Sequence, residues 1–172
     1  PLISAARAAG VAPLMVITNI GETGGFNSDI AHEILTDQSA QDNLINNVIR
    51  TLREKNYFGL DIDFEYVYPY DRESYNNFLR RVVNTLRPLG FTITTALAPK
   101  ISAGQVGKLY EAHDYPVHGA LADHVIIMTY EWGYTYSAPM AVSPIPGIRR
   151  VLEYAVTAIP REKIFMGISN YG

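Results

Sequence analysis

A parallel α/β fold is predicted by three features of the sequence. Five short apolar runs rich in Ile, Val, Phe, Leu and Thr punctuate the chain, at residues 11–20, 57–67, 91–98, 124–130 and 163–168. Their starts lie 46, 34, 33 and 39 residues apart, the spacing of strands that each need a crossover helix to reach a parallel neighbour. Helical periodicity fills most of the gaps between them.

Taken in order, residues 1–10 read as the middle of a helix. The run at 11–20 is the first strand, and it leads into Gly21-Glu22-Thr23-Gly24-Gly25. That loop has no Lys partner, so it reads as a βα turn and not as a phosphate cradle. Residues 37–55 place Leu44, Val48, Ile49 and Leu52 at helical spacing, with Asp37 or Ser39 available as the cap. After the second strand, residues 72–89 put Tyr75, Phe78, Leu79, Val82, Val83 and Leu86 on one helical face, and Pro88 with Gly90 stops the pattern. The third strand is followed by a helical reading of 103–111. The fourth is followed by a helix at 148–159 that Pro160 ends. The strands' unbroken apolar character predicts burial on both faces. Periodicity does not decide between an open sheet and a barrel.

Composition narrows the function classes. The 172 residues are 48% hydrophobic and 18% charged, include no Cys, and suit one domain with a core of its own. Fourteen Lys and Arg stand against 17 Asp and Glu without a basic block, so nucleic acid is not an expected partner. No apolar run is long enough to span a membrane. His32, His113, His118 and His124 lack metal-ligand spacing, and neither GxGxxG nor GxxxxGK[ST] follows a strand; no metal and no cofactor is expected. Tyr is abundant, with 12 copies.

The chemistry concentrates in the second strand, Leu60-Asp61-Ile62-Asp63-Phe64-Glu65. Strand side chains alternate faces, so three carboxyls share one face, roughly 6.5 Å apart, and three apolar residues share the other. A solvated edge strand would mix Lys, Thr and Ser among its acids, because like charges at this spacing repel. Three carboxylates could also hold Mg²⁺ or Ca²⁺, but no loop ligand accompanies them. The remaining reading is a site in which burial and mutual repulsion keep one acid protonated at neutral pH. Glu65, nearest the strand's C-terminal end, is the expected acid. Asp63 and Glu65 lie on one side of any substrate, unlike the opposed pair of ordinary glycosidases. They suit a substrate that brings its own nucleophile, such as the acetamido carbonyl of a 2-acetamido sugar.

These residues resemble glycoside hydrolase family 18, whose strand-four signature is DxxDxDxE. Met128-Thr129-Tyr130-Glu131-Trp132-Gly133 is similar to the family's Met-x-Tyr-Asp segment, and Gly167-Ile168-Ser169-Asn170-Tyr171-Gly172 to its Gly-x-Pro-x-Tyr-Gly segment. The stretch 128–145 looks closest to the bacterial spore-cortex-lytic branch. The resemblance implies a (β/α)8 TIM barrel, with residues 1–172 as an incomplete catalytic barrel covering about strands three to seven and leaving two open sheet edges. It implies retaining, substrate-assisted hydrolysis of β-linked N-acetylglucosamine bonds in peptidoglycan, in the spore or cell envelope or otherwise outside a bacterial cell. By the same resemblance Glu65 is acid and then base, Asp63 supports the acetamido group, Asp61 tunes Asp63, and Tyr130 aligns the acetamido carbonyl. Glu131, Trp132, Tyr134, Tyr171 and Asn19 are expected to bind substrate, with Gly25, Tyr66, Tyr68 and Tyr70 as further wall residues. Two positions depart from the pattern: Phe58 replaces the first motif Asp, and Glu131 replaces the Asp after the Tyr. A chitinase acting on chitin oligomers, a non-catalytic lectin-like barrel and an interaction scaffold are the alternatives.

Overall fold

The computed structural model describes residues 1–171, of which the following elements form the fold. Helix α1 (Leu2–Ala8) precedes β1 (Leu14–Thr18); α2 (Ser28–Thr36) and α3 (Gln38–Lys55) lead to β2 (Gly59–Asp63). Helix α4 (Arg72–Leu86) connects to β3 (Thr92–Leu97), α5 (Tyr115–Leu121) to β4 (His124–Ile127), and α6 (Ile145–Ala158) to β5 (Ile164–Met166). The five strands pair in the order β1-β2-β3-β4-β5, all parallel.

That order decides what periodicity left open. Parallel crossovers are right-handed, so strands that always advance in one direction place every helix on the same face of the sheet. An open doubly wound sheet must reverse its strand order; this one does not. The helix-covered face packs in two clusters. One gathers Leu52, Leu60, Ile62, Phe64, Phe78, Leu79, Leu86 and Ile93 under α2, α3 and α4. The other gathers Leu97, Tyr115, Val125, Ile127, Val151 and Ala155 under α5 and α6. Gly59 lets β2 and β3 close up, since a Cβ there would sit 2.0 Å from the Thr92 carbonyl oxygen.

The opposite face carries Val16, Asp61, Thr94, His124 and Phe165, as the strand register and alternation require. Here the expectation of burial on both faces fails at the edges. Val16 is 52% and Phe165 51% exposed, because β1 and β5 each have a strand on one side only among the described residues.

Two helical expectations also change. Residues 103–111 form turns and not a helix: Gly107 takes φ +132°, outside helical space, and Val106 is 81% exposed with no apolar face to join. The crossover helix lies later, at α5, where Asp114 accepts from the Val117 N–H and Pro116 occupies the first turn. Helix α2 is too short to have shown a long periodic pattern. It forms because Asn27 accepts from the N–H groups of Asp29 and Ile30, and because Ala31 and Leu35 are buried. Asp37, and not Ser39, caps α3.

Candidate active site

The acidic residues emerge at the C-terminal end of β2. Asp61 is 6% exposed and its carboxylate accepts from the Thr94 hydroxyl on β3. Burial raises its pKa, and the Thr94 hydrogen bond opposes that rise. Asp63 is raised to about 6, by burial first and by the Asp61 charge second. One of its oxygens, Oδ1, is buried with no hydrogen-bond partner among the described residues. Glu65 is raised to about 7, again mainly by burial, then by the charges of Asp63 and Glu131. Near neutral pH the ladder therefore holds an available proton at its outer end and a free acceptor at its middle.

Asp63 and Glu65 open into a cleft of about 530 Å³, whose lining also includes Tyr130, Glu131, Trp132 and Tyr171. Burial raises the Tyr130 pKa, with the Asp63 charge second, so the phenol keeps its proton. Gly167 makes room for this ring, since a Cβ there would lie 2.6 Å from Tyr130 Cε1. Tyr171 donates to Glu131 Oε1 at 2.6 Å, which pushes the phenol up to about 12 and ties down the Glu131 carboxylate. Two residues with left-handed backbone flank the site: Tyr66 (φ +51°), directly after Glu65, and Glu131 (φ +63°), directly after Tyr130. Such conformations cost roughly 1–3 kcal/mol and collect where a site needs an abrupt turn.

The structure brings together Glu65, Asp63, Asp61, Tyr130, Glu131, Trp132 and Tyr171. Trp132 also packs its six-membered ring against Gly147 at the start of α6. Tyr134 lies beside the cleft, in a hollow that shares Glu131 and Tyr171 with it. Asn19 is a correction: it is fully buried and its amide is spent on backbone groups, so it does not line the cleft. Gly25 lies in a separate polar hollow with Gly21 and Lys108. Of the three tyrosines after Glu65, only Tyr66 reaches the cleft. Tyr68 and Tyr70 stack on each other at 4.9 Å, and Tyr68 donates to Asp29. Sequence reasoning missed Phe26, Leu109 and Tyr110 as lining residues. Phe26 follows a glycine loop, and the other two sit in turns that read as a helix, so neither had a strand-end signal.

The chain matches Glycosyl hydrolases family 18 over residues 13–172. It is 45% identical over 159 residues to the cortical fragment-lytic enzyme of Bacillus subtilis (strain 168), covering 92% of this chain and 37% of that protein. The crystal structure of the Bacillus megaterium QM B1551 spore cortex-lytic enzyme SleL superposes with a TM-score of 0.92 at 44% identity, over 97% of this chain and 38% of that one. A chitinase from Chromobacterium violaceum ATCC 12472 superposes with a TM-score of 0.90 at 26% identity, over 96% and 52%. The five strands are thus an arc of a TIM barrel, and the chain spans somewhat over a third of the length of the curated relatives it matches.

Proposed function

The chain belongs to glycosyl hydrolases family 18, and from that premise we propose that it is the acid-bearing part of a glycosidase barrel, about strands three to seven. Its substrate is an amino-sugar polysaccharide, spore-cortex peptidoglycan, cut at β-linked N-acetylglucosamine with retention, in the spore or cell envelope. The observation that carries this reading is the gradient along one strand face: Asp61 closed in by Thr94, Asp63 with an oxygen that has no partner among the described residues, and Glu65 protonated up to about pH 7.

Glu65 donates its proton to the glycosidic oxygen as the bond to the anomeric carbon breaks. The substrate's acetamido carbonyl oxygen attacks that carbon from the other side. Asp63 accepts the acetamido N–H and balances the positive charge that develops on the ring so formed. Asp61 tunes Asp63, whose pKa its neighbouring charge helps to raise, and the Tyr130 hydroxyl aligns the acetamido carbonyl. Glu65, now a carboxylate, then takes a proton from the water that opens the ring and restores the configuration. The only other carboxylate on the cleft wall, among the described residues, is Glu131, and it already accepts from Tyr171. Glu131, Trp132 and Tyr171 bind the sugar. Cortex peptidoglycan is preferred to chitin because the relative of 45% identity is a cortical fragment-lytic enzyme, while the chitinase neighbour is 26% identical.

The test is release of reducing ends by the full-length protein from cortex fragments and from chitin oligomers, with product analysis separating glucosaminidase from muramidase ends. Release from chitin alone favours the chitinase reading, and binding without turnover the lectin-like one. A Glu65→Gln rate within a few-fold of wild type sinks the assignment of the acid.

A further inference from the structure

The parallel ladder stops before the acid is reached. The β1–β2 register ends at Thr18 beside Asp63, and the β2–β3 register ends at Ile62 beside Thr95. The peptide joining Phe64 to Glu65 lies beyond both, yet it is gripped from both sides by buried side chains. On the β1 side, Asn19 Nδ2 donates to the Glu65 carbonyl at 2.8 Å and to the Asn27 carbonyl at 2.9 Å, while its Oδ1 accepts from the Glu65 N–H at 2.9 Å. Both amide hydrogens and the oxygen are in use, and the residue is fully buried. On the β3 side, His113 is 1% exposed, with Nε2 2.9 Å from the Phe64 carbonyl oxygen and Nδ1 2.7 Å from the Ala98 nitrogen. A backbone N–H can only donate, so Nδ1 accepts, Nε2 carries the hydrogen, and the ring is a neutral bridge between the ends of β2 and β3. The His113 carbonyl in turn accepts from the buried Lys100 Nζ at 3.0 Å.

We propose that Asn19 and His113 are positioning residues for Glu65, a two-sided side-chain clamp that aims its carboxyl where the strand ladder no longer can. This rests on the reading of Glu65 as the acid. The physical need is plain. A continued ladder would carry the chain straight on, whereas the backbone turns at once into the left-handed Tyr66, whose carbonyl accepts from Ser28 Oγ at 2.6 Å. Side chains can grip a peptide that is about to turn, and proton transfer demands that grip, since a misplacement of about 1 Å can cost on the order of 100-fold in rate.

The experiment uses the full-length protein and β-N-acetylglucosaminide oligomers of two kinds. One kind has a sugar leaving group, which needs protonation; the other has a dinitrophenyl leaving group, which departs without it. Asn19→Ala is expected to lower kcat/KM on the sugar substrate by about 10- to 100-fold, and to lower kcat/KM on the dinitrophenyl substrate, which reads only the steps up to loss of the leaving group and not the later base step, by less than about three-fold; every rate in this comparison is a kcat/KM value. At His113 the comparison is internal. Gln places a donor where Nε2 stands, whereas Asn keeps only the acceptor for the Ala98 N–H. His113→Gln should therefore recover most of the rate that His113→Asn loses, again only on the sugar substrate. Equal loss on both substrates, or equal rates for His113→Gln and His113→Asn, overturns the clamp. Should Asn19→Ala fail to fold, the His113 pair decides. If Glu65→Gln leaves the sugar substrate's rate unchanged, it is the functional reading that fails, because the clamp then has no acid to aim.

Discussion

The two halves of the molecule contribute opposite things to the same cleft. The half built on β1, β2 and β3 supplies the acids from a strand whose reverse side, Leu60, Ile62 and Phe64, is at most 1% exposed, with Phe64 stacked on Tyr75 and Phe78. The half built on β4, β5 and α6 supplies Tyr130, Glu131, Trp132 and Tyr171 from strand ends and the loop after them. That half has the smaller core, and Phe165 and Met166 remain 51% and 40% exposed. On the function proposed above, the group that transfers a proton follows directly on the most deeply packed strand, whereas the groups that only have to touch a sugar come from the more open side.

The sharpest way to break this contrast is to remove the acid. Glu65→Gln is expected to lower kcat by about 10²–10⁴-fold, the range a general acid contributes, while Tyr171→Phe, which frees Glu131 and takes one hydroxyl from the cleft, should cost about five-fold. Steady-state kinetics on the full-length protein measure both. Packing comes next. Phe78→Ala should destabilise by about 3–5 kcal/mol, whereas Tyr136→Ser, at a residue 88% exposed in the second half, should stay within about 0.5 kcal/mol; urea unfolding compares them.

A smaller effect follows from pH. As the proposed acid, Glu65 works in its protonated form, so kcat should fall as pH rises through about 7. Because folding raises this pKa above its ordinary 4.5, the associated stability is full below about pH 4.5 and is lost as pH climbs through about 7. Glu65→Gln should accordingly be more stable than wild type at pH 8 by about 1–2 kcal/mol, allowing for the water that reaches the cleft, and no more stable at pH 4. Thermal melts at the two pH values check the sign. The smallest effect is expected at Trp132, where Ala should raise KM about five-fold and leave kcat within about two-fold, marking recognition apart from chemistry.

Much of the site was legible because strand alternation is a local rule. Asp61, Asp63 and Glu65 share a face whatever lies around them, and Tyr130 and Glu131 follow an apolar run that had to be a strand. Residues defined by what they meet across the sheet were not legible. Asn19 looked like a cleft residue because it ends a strand; it is fully buried because Glu65 and Asn27 converge on it. His113 showed only an absence of metal spacing, and nothing near it in sequence announces Phe64 or Ala98 as its partners. The turns at 103–111 were misread because Gly107 adopts a backbone angle that apolar spacing does not reveal.

By itself, then, the sequence determined the parallel α/β rhythm, the acidic face and the family to which it belongs, since each is written in neighbouring residues and their period. Only the tertiary structure decided that the strands advance in one direction with every helix on one side. It also decided which side chains grip the peptide of Glu65, and how far burial lifts each acid. Those depend on groups brought together from positions dozens of residues apart, and on the water that their packing excludes.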